Sequence, residues 1–160
     1  MAAISNAQYG STNPDFTPHG IRVRLGVVLP YDTTFRDAGA SFLGMGLDYD
    51  LPAHGSYVPF LAIDHISKKP FDTTKPHVTA LTLNLRRSFT GAKYDTYWFA
   101  GVGAFNINIE GGRMLAGVRG GLGAEFESKY FAELTTYASL KENGSGTSAN
   151  AFAFYVGLKF

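Results

Sequence analysis

The chain contains no cysteine, which excludes a disulfide framework and any thiolate metal site. No apolar run reaches the ~18 residues that a transmembrane helix requires, so that class is excluded as well. Charge is scarce: Asp, Glu, Lys and Arg together make up 17% of the sequence, below the ~25% of ordinary soluble domains. The formal net charge is only +1, and nothing in that balance points to nucleic acid as a partner. The opening MAAISNAQYGSTNPDFTPHG lacks a basic start followed by an apolar stretch, so no signal peptide is visible in it. Either the protein is not exported, or this is a mature form with an added Met1. His19, His54, His65 and His77 stand singly, without ligand spacing, and neither a metal site nor a cofactor is expected.

What the sequence does have is glycine, 19 residues, and aromatic side chains, 14%. Both suit a β protein whose backbones approach closely. At 160 residues it is long enough for one domain. Alternation of large apolar and small or polar residues, the period of a strand, marks eight segments: 20–30, 41–51, 56–66, 77–89, 94–109, 113–127, 130–140 and 150–160. In HVTALTLNLRRSF, for example, His77, Thr79, Leu81, Leu83 and Leu85 oppose Val78, Ala80, Thr82, Asn84 and Arg86. Two segments are less regular. SYVPFLAIDHI is apolar on both faces, with Asp64 assigned to the polar side by its charge, and Pro59 removes a ladder hydrogen bond. In YDTYWFAGVGAFNINI, grouping Phe99, Phe105, Ile107 and Ile109 on the apolar face sends Trp98 to the other, unless a bulge intervenes.

The connections alternate long and short, EGG being the exception, as in an up-and-down meander. The polar face mixes glycine and alanine with Arg22, Arg24, Asp48, Asp50, Asp64, Arg86, Arg119, Glu125, Glu127, Glu133 and Lys159. Small residues among balanced charges fit a crowded interior in which ions pair. The opposite face carries no charge across the middles of the strands, where Arg or Lys would cost about 2–4 kcal/mol at a bilayer midplane. Ten tilted residues rise roughly 23 Å, close to the ~25 Å apolar band of membrane barrels. Tyr49, Tyr57, Phe89, Tyr94, Tyr97, Phe126, Tyr130 and Phe160 gather at the short-turn end as an interfacial girdle. The expectation is therefore an all-β, eight-stranded antiparallel up-and-down transmembrane β-barrel over 20–160, preceded by a polar, Pro-containing leader over 1–19.

Over 20–160 the chain resembles the small eight-stranded bacterial outer-membrane barrels of the OmpA/OmpX type. The most specific match is the ending YVGLKF, similar to the C-terminal signal of outer-membrane proteins: Phe154, Val156, Leu158 and Phe160 occupy its apolar and aromatic positions. The resemblance implies recognition by the barrel-assembly machinery, a cleaved signal peptide, a periplasmic N-terminus, and outer-membrane lipid and lipopolysaccharide as surroundings in a Gram-negative bacterium. A monomer is the expected state. The very short EGG loop departs from the family and argues against a large extracellular binding surface.

Eight strands leave an interior just wide enough for side chains to fill. The first functional expectation is a structural or interaction protein with a plugged lumen, passing ions narrowly at most. A lumen network of Arg22, Arg24, Asp48, Asp50, Asp64, Arg86, Arg119, Glu125 and Glu133 would fill it. An enzyme is the second reading: Asp64, His65 and Ser67 in DHIS have the types of an acyl-hydrolase triad, as in lipid A deacylase barrels. There, however, the His-x-Ser element lies late in the barrel and precedes Asn, whereas here Lys68 follows. A soluble lipocalin-like barrel with its apolar face inward is the third, although the lipocalin Gly-x-Trp signature is absent. GGRMLAGVRGGLG lacks the Lys-Ser/Thr of a phosphate loop. SKKPFDTTKP reads as a solvated outer loop with some capacity for lipopolysaccharide phosphates.

Overall fold

The computed structural model describes residues 20–160 apart from 75, 92, 110, 128 and 142–147. The leader expected over 1–19, and His19 with it, lies outside the described residues. Eight strands run in sequence order round a closed barrel: β1 (Ile21–Pro30), β2 (Phe42–Asp50), β3 (Tyr57–Ser67), β4 (His77–Phe89), β5 (Asp95–Asn108), β6 (Gly112–Phe126), β7 (Tyr130–Ser139) and β8 (Ala151–Lys159). All pairings are antiparallel between chain neighbours, and β1 meets β8 to close the ring, with Arg22 opposite Lys159 and Pro30 opposite Ala151. Closure leaves no free strand edge. The up-and-down eight-stranded barrel read from alternation is the observed fold.

Orientation is settled by exposure. Leu83, Val118 and Phe154 are 52%, 49% and 57% exposed, whereas Arg24 and Glu133 are each 2% exposed. The apolar face is outside and the charges are inside. That arrangement overturns the lipocalin-like alternative, which needs the reverse.

β5 has the opposite phase to the one expected. Phe99, Phe105 and Ile107 point into the lumen, and Ile109 packs against the buried cluster there. Trp98 faces outward, edge-on to Tyr57 with ring centroids 6.2 Å apart. No bulge is needed, because the register with β4 runs unbroken from Phe89–Thr96 to His77–Asn108. The outward Leu81, Leu83 and Leu85 pair with Ala104, Val102 and Ala100. An outer face must only be apolar and tolerates small residues, whereas a lumen must be filled, so the larger rings turn inward. Tyr97 leaves the expected girdle for the same reason and is buried. Glu127 leaves the expected polar face: it is exposed in the β6–β7 turn, at φ 52°.

Pro59 sits where its missing N–H costs least. Its carbonyl accepts from the Leu51 amide at 2.8 Å, just past the last β2–β3 pair, Asp50–Phe60. The ladder ends there in any case. The first long connection, read as loop, contains a short helix, α1 (Thr33–Ala38). Asp32 caps it, one carboxylate oxygen accepting from the Thr34 and Phe35 amides at 3.0 and 3.3 Å. The Ser148 hydroxyl donates to the other oxygen at 2.6 Å. The helix thereby holds Phe35 over the barrel mouth, fully buried, 4.7 Å from the Phe42 ring.

Candidate functional site

The lumen is layered along the barrel axis. Nearest the short turns, the inward positions of β1, β2, β4, β6 and β8 bring Arg22, Asp50, Arg86, Glu125 and Lys159 together. Arg86 grips Asp50 through two parallel hydrogen bonds of 3.0 and 2.6 Å, the bidentate geometry that suits a planar guanidinium. Arg22 donates to Glu125, which also takes the Lys159 ammonium at 3.2 Å. Arg22 Nε lies 4.0 Å from Asp50 and links the two pairs.

One level deeper, two arginines face three carboxylates. Arg24 donates to Asp48 and, at 2.5 Å, to Asp64. Arg119 donates to Glu133 at 2.8 Å and lies 3.6 Å from Asp48 and 3.4 Å from Asp64. All five side chains are buried. The Thr135 hydroxyl and the Tyr97 hydroxyl donate to Glu133 at 2.7 and 3.1 Å, so its excess charge is spread over neutral donors. Removing ions from water on this scale costs several kcal/mol per ion, offset only where every charge is paired and hydrogen-bonded. The nine residues singled out from sequence thus fall into two sets of ion pairs, one of Arg22, Asp50, Arg86 and Glu125 and a deeper one of Arg24, Asp48, Asp64, Arg119 and Glu133.

Alternation alone missed the aromatic lining. Each lumen arginine lies over a ring: Arg119 is 4.5 Å from the Phe99 centroid, Arg86 4.4 Å from Phe60, and Arg24 5.4 Å from Tyr155. Arg22 lies between Tyr97 and Phe131, at 5.1 and 5.4 Å. Four of these rings sit directly across the ladder from a glycine: Tyr97–Gly123, Phe99–Gly121, Phe131–Gly157 and Tyr155–Gly26. A Cβ on Gly123 would come within 2.2 Å of the Tyr97 ring. Glycine is required there as a gap for the ring opposite. The sequence signal was the glycines on inward parity, each of which needs a large partner to fill its place.

Towards the long loops the lumen changes character. Val28, Phe42, Ile66, Val78, Phe105 and Ile107 pack with Phe35 of α1 into an apolar cluster. Tyr137 and Tyr155 mark the boundary, their hydroxyls 3.0 Å apart. The uniformly polar interior expected from sequence is therefore corrected: charge fills one half and hydrocarbon the other.

The DHIS residues do not assemble into a triad. Asp64 points into the lumen and is held by Arg24 and Arg119, while His65 lies on the outer face. His65 Nδ1 and Nε2 bond to the Thr79 hydroxyl and the Asp72 carbonyl, each at 3.0 Å. Ser67 donates to the Lys69 carbonyl at 2.6 Å. In the same loop, the Thr74 hydroxyl and amide donate to Asp72 and hold its carboxyl below the usual range. Among the described residues no group of three metal-ligating side chains occurs.

The final strand shows its expected faces. Phe154, Val156 and Leu158 are exposed outside, and the Phe160 amide donates to the Ile21 carbonyl at 2.9 Å beyond the β1–β8 ladder.

No protein-family model matches the chain, and no curated protein matches it by sequence. Among solved structures it is similar to neisserial surface protein A (NspA), with a TM-score of 0.57, 8% identity, and coverage of 89% of this chain and 95% of that one. It is similar also to the N-terminal β-barrel domain of Pseudomonas aeruginosa OprF, with a TM-score of 0.54, 17% identity, and coverage of 89% and 98%. At these identities the likeness is one of architecture, and the chain shares with both the closed, eight-stranded up-and-down barrel fold.

Proposed function

We propose that the protein is an integral outer-membrane barrel with a closed lumen, acting as a structural or interaction protein and not as an open pore. The observation that carries this reading is the inversion of faces: an exterior that is apolar and free of charge across the middles of the strands, around buried arginine–carboxylate pairs. In water such an exterior, with Leu25, Leu83, Val102, Leu122 and Phe154 all exposed, would drive aggregation. In lipid it is the required surface, and closure satisfies the backbone. Lipid and lipopolysaccharide are then its surroundings, and the β8 face of Phe154, Val156, Leu158 and Phe160 its signal to the assembly machinery. The monomer is the working state, since the barrel leaves no strand edge to pair.

The closed lumen rests on two seals in series, the ion pairs and the apolar cluster beneath α1. Single-channel recording in planar bilayers is expected to show no steady current. Stable openings on the order of hundreds of picosiemens would overturn the closed lumen. The membrane assignment has its own test. The folded protein should migrate anomalously on a semi-native gel until boiled, and a protein monodisperse in detergent-free buffer would refute it. Narrow ion passage is the second reading, favoured by buried polar atoms without hydrogen-bond partners in the charged half, Asp64 Oδ2 and Asn84 Oδ1 among them.

A further inference from the structure

Among the described residues, Arg87 is the one Arg, Lys, Asp or Glu within the strands whose position has outward parity. Its neighbour Arg86 points inward and is gripped by Asp50. Arg87 has no carboxylate partner among the described residues. It lies instead among rings: its guanidinium carbon is 5.6 Å from the Tyr57 centroid and 5.3 Å from that of Phe89. Across the ladder its partners are Tyr57 on β3 and Trp98 on β5, and these two rings meet edge-to-face. All four side chains sit at the short-turn rim of the apolar exterior.

We infer that this box of Arg87, Tyr57, Phe89 and Trp98 binds the phosphodiester of a phospholipid headgroup at the short-turn rim. The inference rests on the membrane reading above. An unpaired guanidinium at the edge of a hydrocarbon band is costly unless an anion meets it, and its fork geometry matches two phosphate oxygens. The rings hold the guanidinium face by cation–π attraction, leaving its N–H edge for the ligand. Tyrosine and tryptophan at this height place their polar tips at headgroup level. The acyl chains of such a lipid would descend over the adjoining outward residues, Leu85, Leu83 and Ala100, which are apolar.

Trp98 is the single tryptophan in the chain, so its fluorescence reports on this box alone. The folded protein in maltoside micelles, checked for heat-modifiable migration, is titrated with phosphatidylglycerol, with a diacylglycerol lacking the phosphate, and with inorganic phosphate. A saturable change with phosphatidylglycerol alone is expected, weakened about tenfold in Arg87→Gln and less in Arg87→Lys. An equal response in wild type and Arg87→Gln, or to diacylglycerol or inorganic phosphate, would overturn the site. Retained heat-modifiability in both proteins keeps that failure separate from failure of the membrane assignment. Loss of the barrel in Arg87→Gln would also count against the site, because an outward rim residue that only binds lipid is dispensable for closure.

Discussion

The two halves of the lumen fill the same cross-section with opposite chemistry. Towards the short turns, the arginines of β1, β4 and β6 interlock with carboxylates from β2, β3, β6 and β7, each guanidinium resting on a ring. Towards the long loops, Val28, Phe42, Ile66, Phe105 and Ile107 meet under Phe35 with no charge among them. The charged half depends on partner identity, since losing one member leaves buried charges stranded. The apolar half depends on volume and tolerates chemically similar replacements. Register and uniqueness therefore reside in the first half, and sealing in the second.

The contrast can be broken at several points. Arg119→Ala should have the largest effect, because it strands Glu133 and weakens the hold on Asp64 and Asp48. A loss of about 3–5 kcal/mol is expected from denaturant unfolding in micelles, and a loss under 1 kcal/mol would show that the ion pairs do not govern the charged half. Gly121→Val comes next, at about 1–3 kcal/mol. A Cβ there would stand 2.3 Å from the Leu134 carbonyl and 2.7 Å from the Phe99 ring, and an unchanged unfolding midpoint would refute the ring-over-glycine account. Tyr155→Phe, at the boundary, removes one hydroxyl from the Tyr137 pair and should cost roughly 1 kcal/mol. Ile107→Val in the apolar half should cost a similar or smaller amount, about 0.5–1.5 kcal/mol. Its cost should be the same in low and high salt; a salt-dependent cost would blur the division between the halves.

Much of this architecture was legible because a two-sided sheet writes its faces into alternate residues. Arg22, Arg24, Asp48 and Glu133 declare the inside by charge, and Leu81, Leu83 and Leu85 declare the outside. β5 was illegible on the same rule, since both its faces are apolar and size misleads. Phe99 and Phe105 look like exterior residues until their rings are placed over Gly121 and Gly117, and that depends on pairing with β6. The apolar half of the lumen was hidden for a related reason, because its residues come from the inward positions of strands otherwise marked by charge. The α1 cap was written locally, in Asp32 before Thr33-Thr34 and Gly39 after Ala38, but a run of six residues carries too little periodicity to stand out. The role of Arg87 could not be read from its neighbours in sequence, since it follows Arg86 and differs from it only in parity.

The seam between β1 and β8 has a consequence for how the molecule reaches its final state. Arg22 meets Lys159 and Ile21 meets Phe160 across that join, so the ring's last hydrogen bonds unite its two most distant strands. A seven-strand intermediate would present two bare edges to hydrocarbon, each unsatisfied amide or carbonyl costing several kcal/mol. In the bilayer proposed here, partial structures have no stable resting point, and entry into the membrane and circular closure become a single cooperative event.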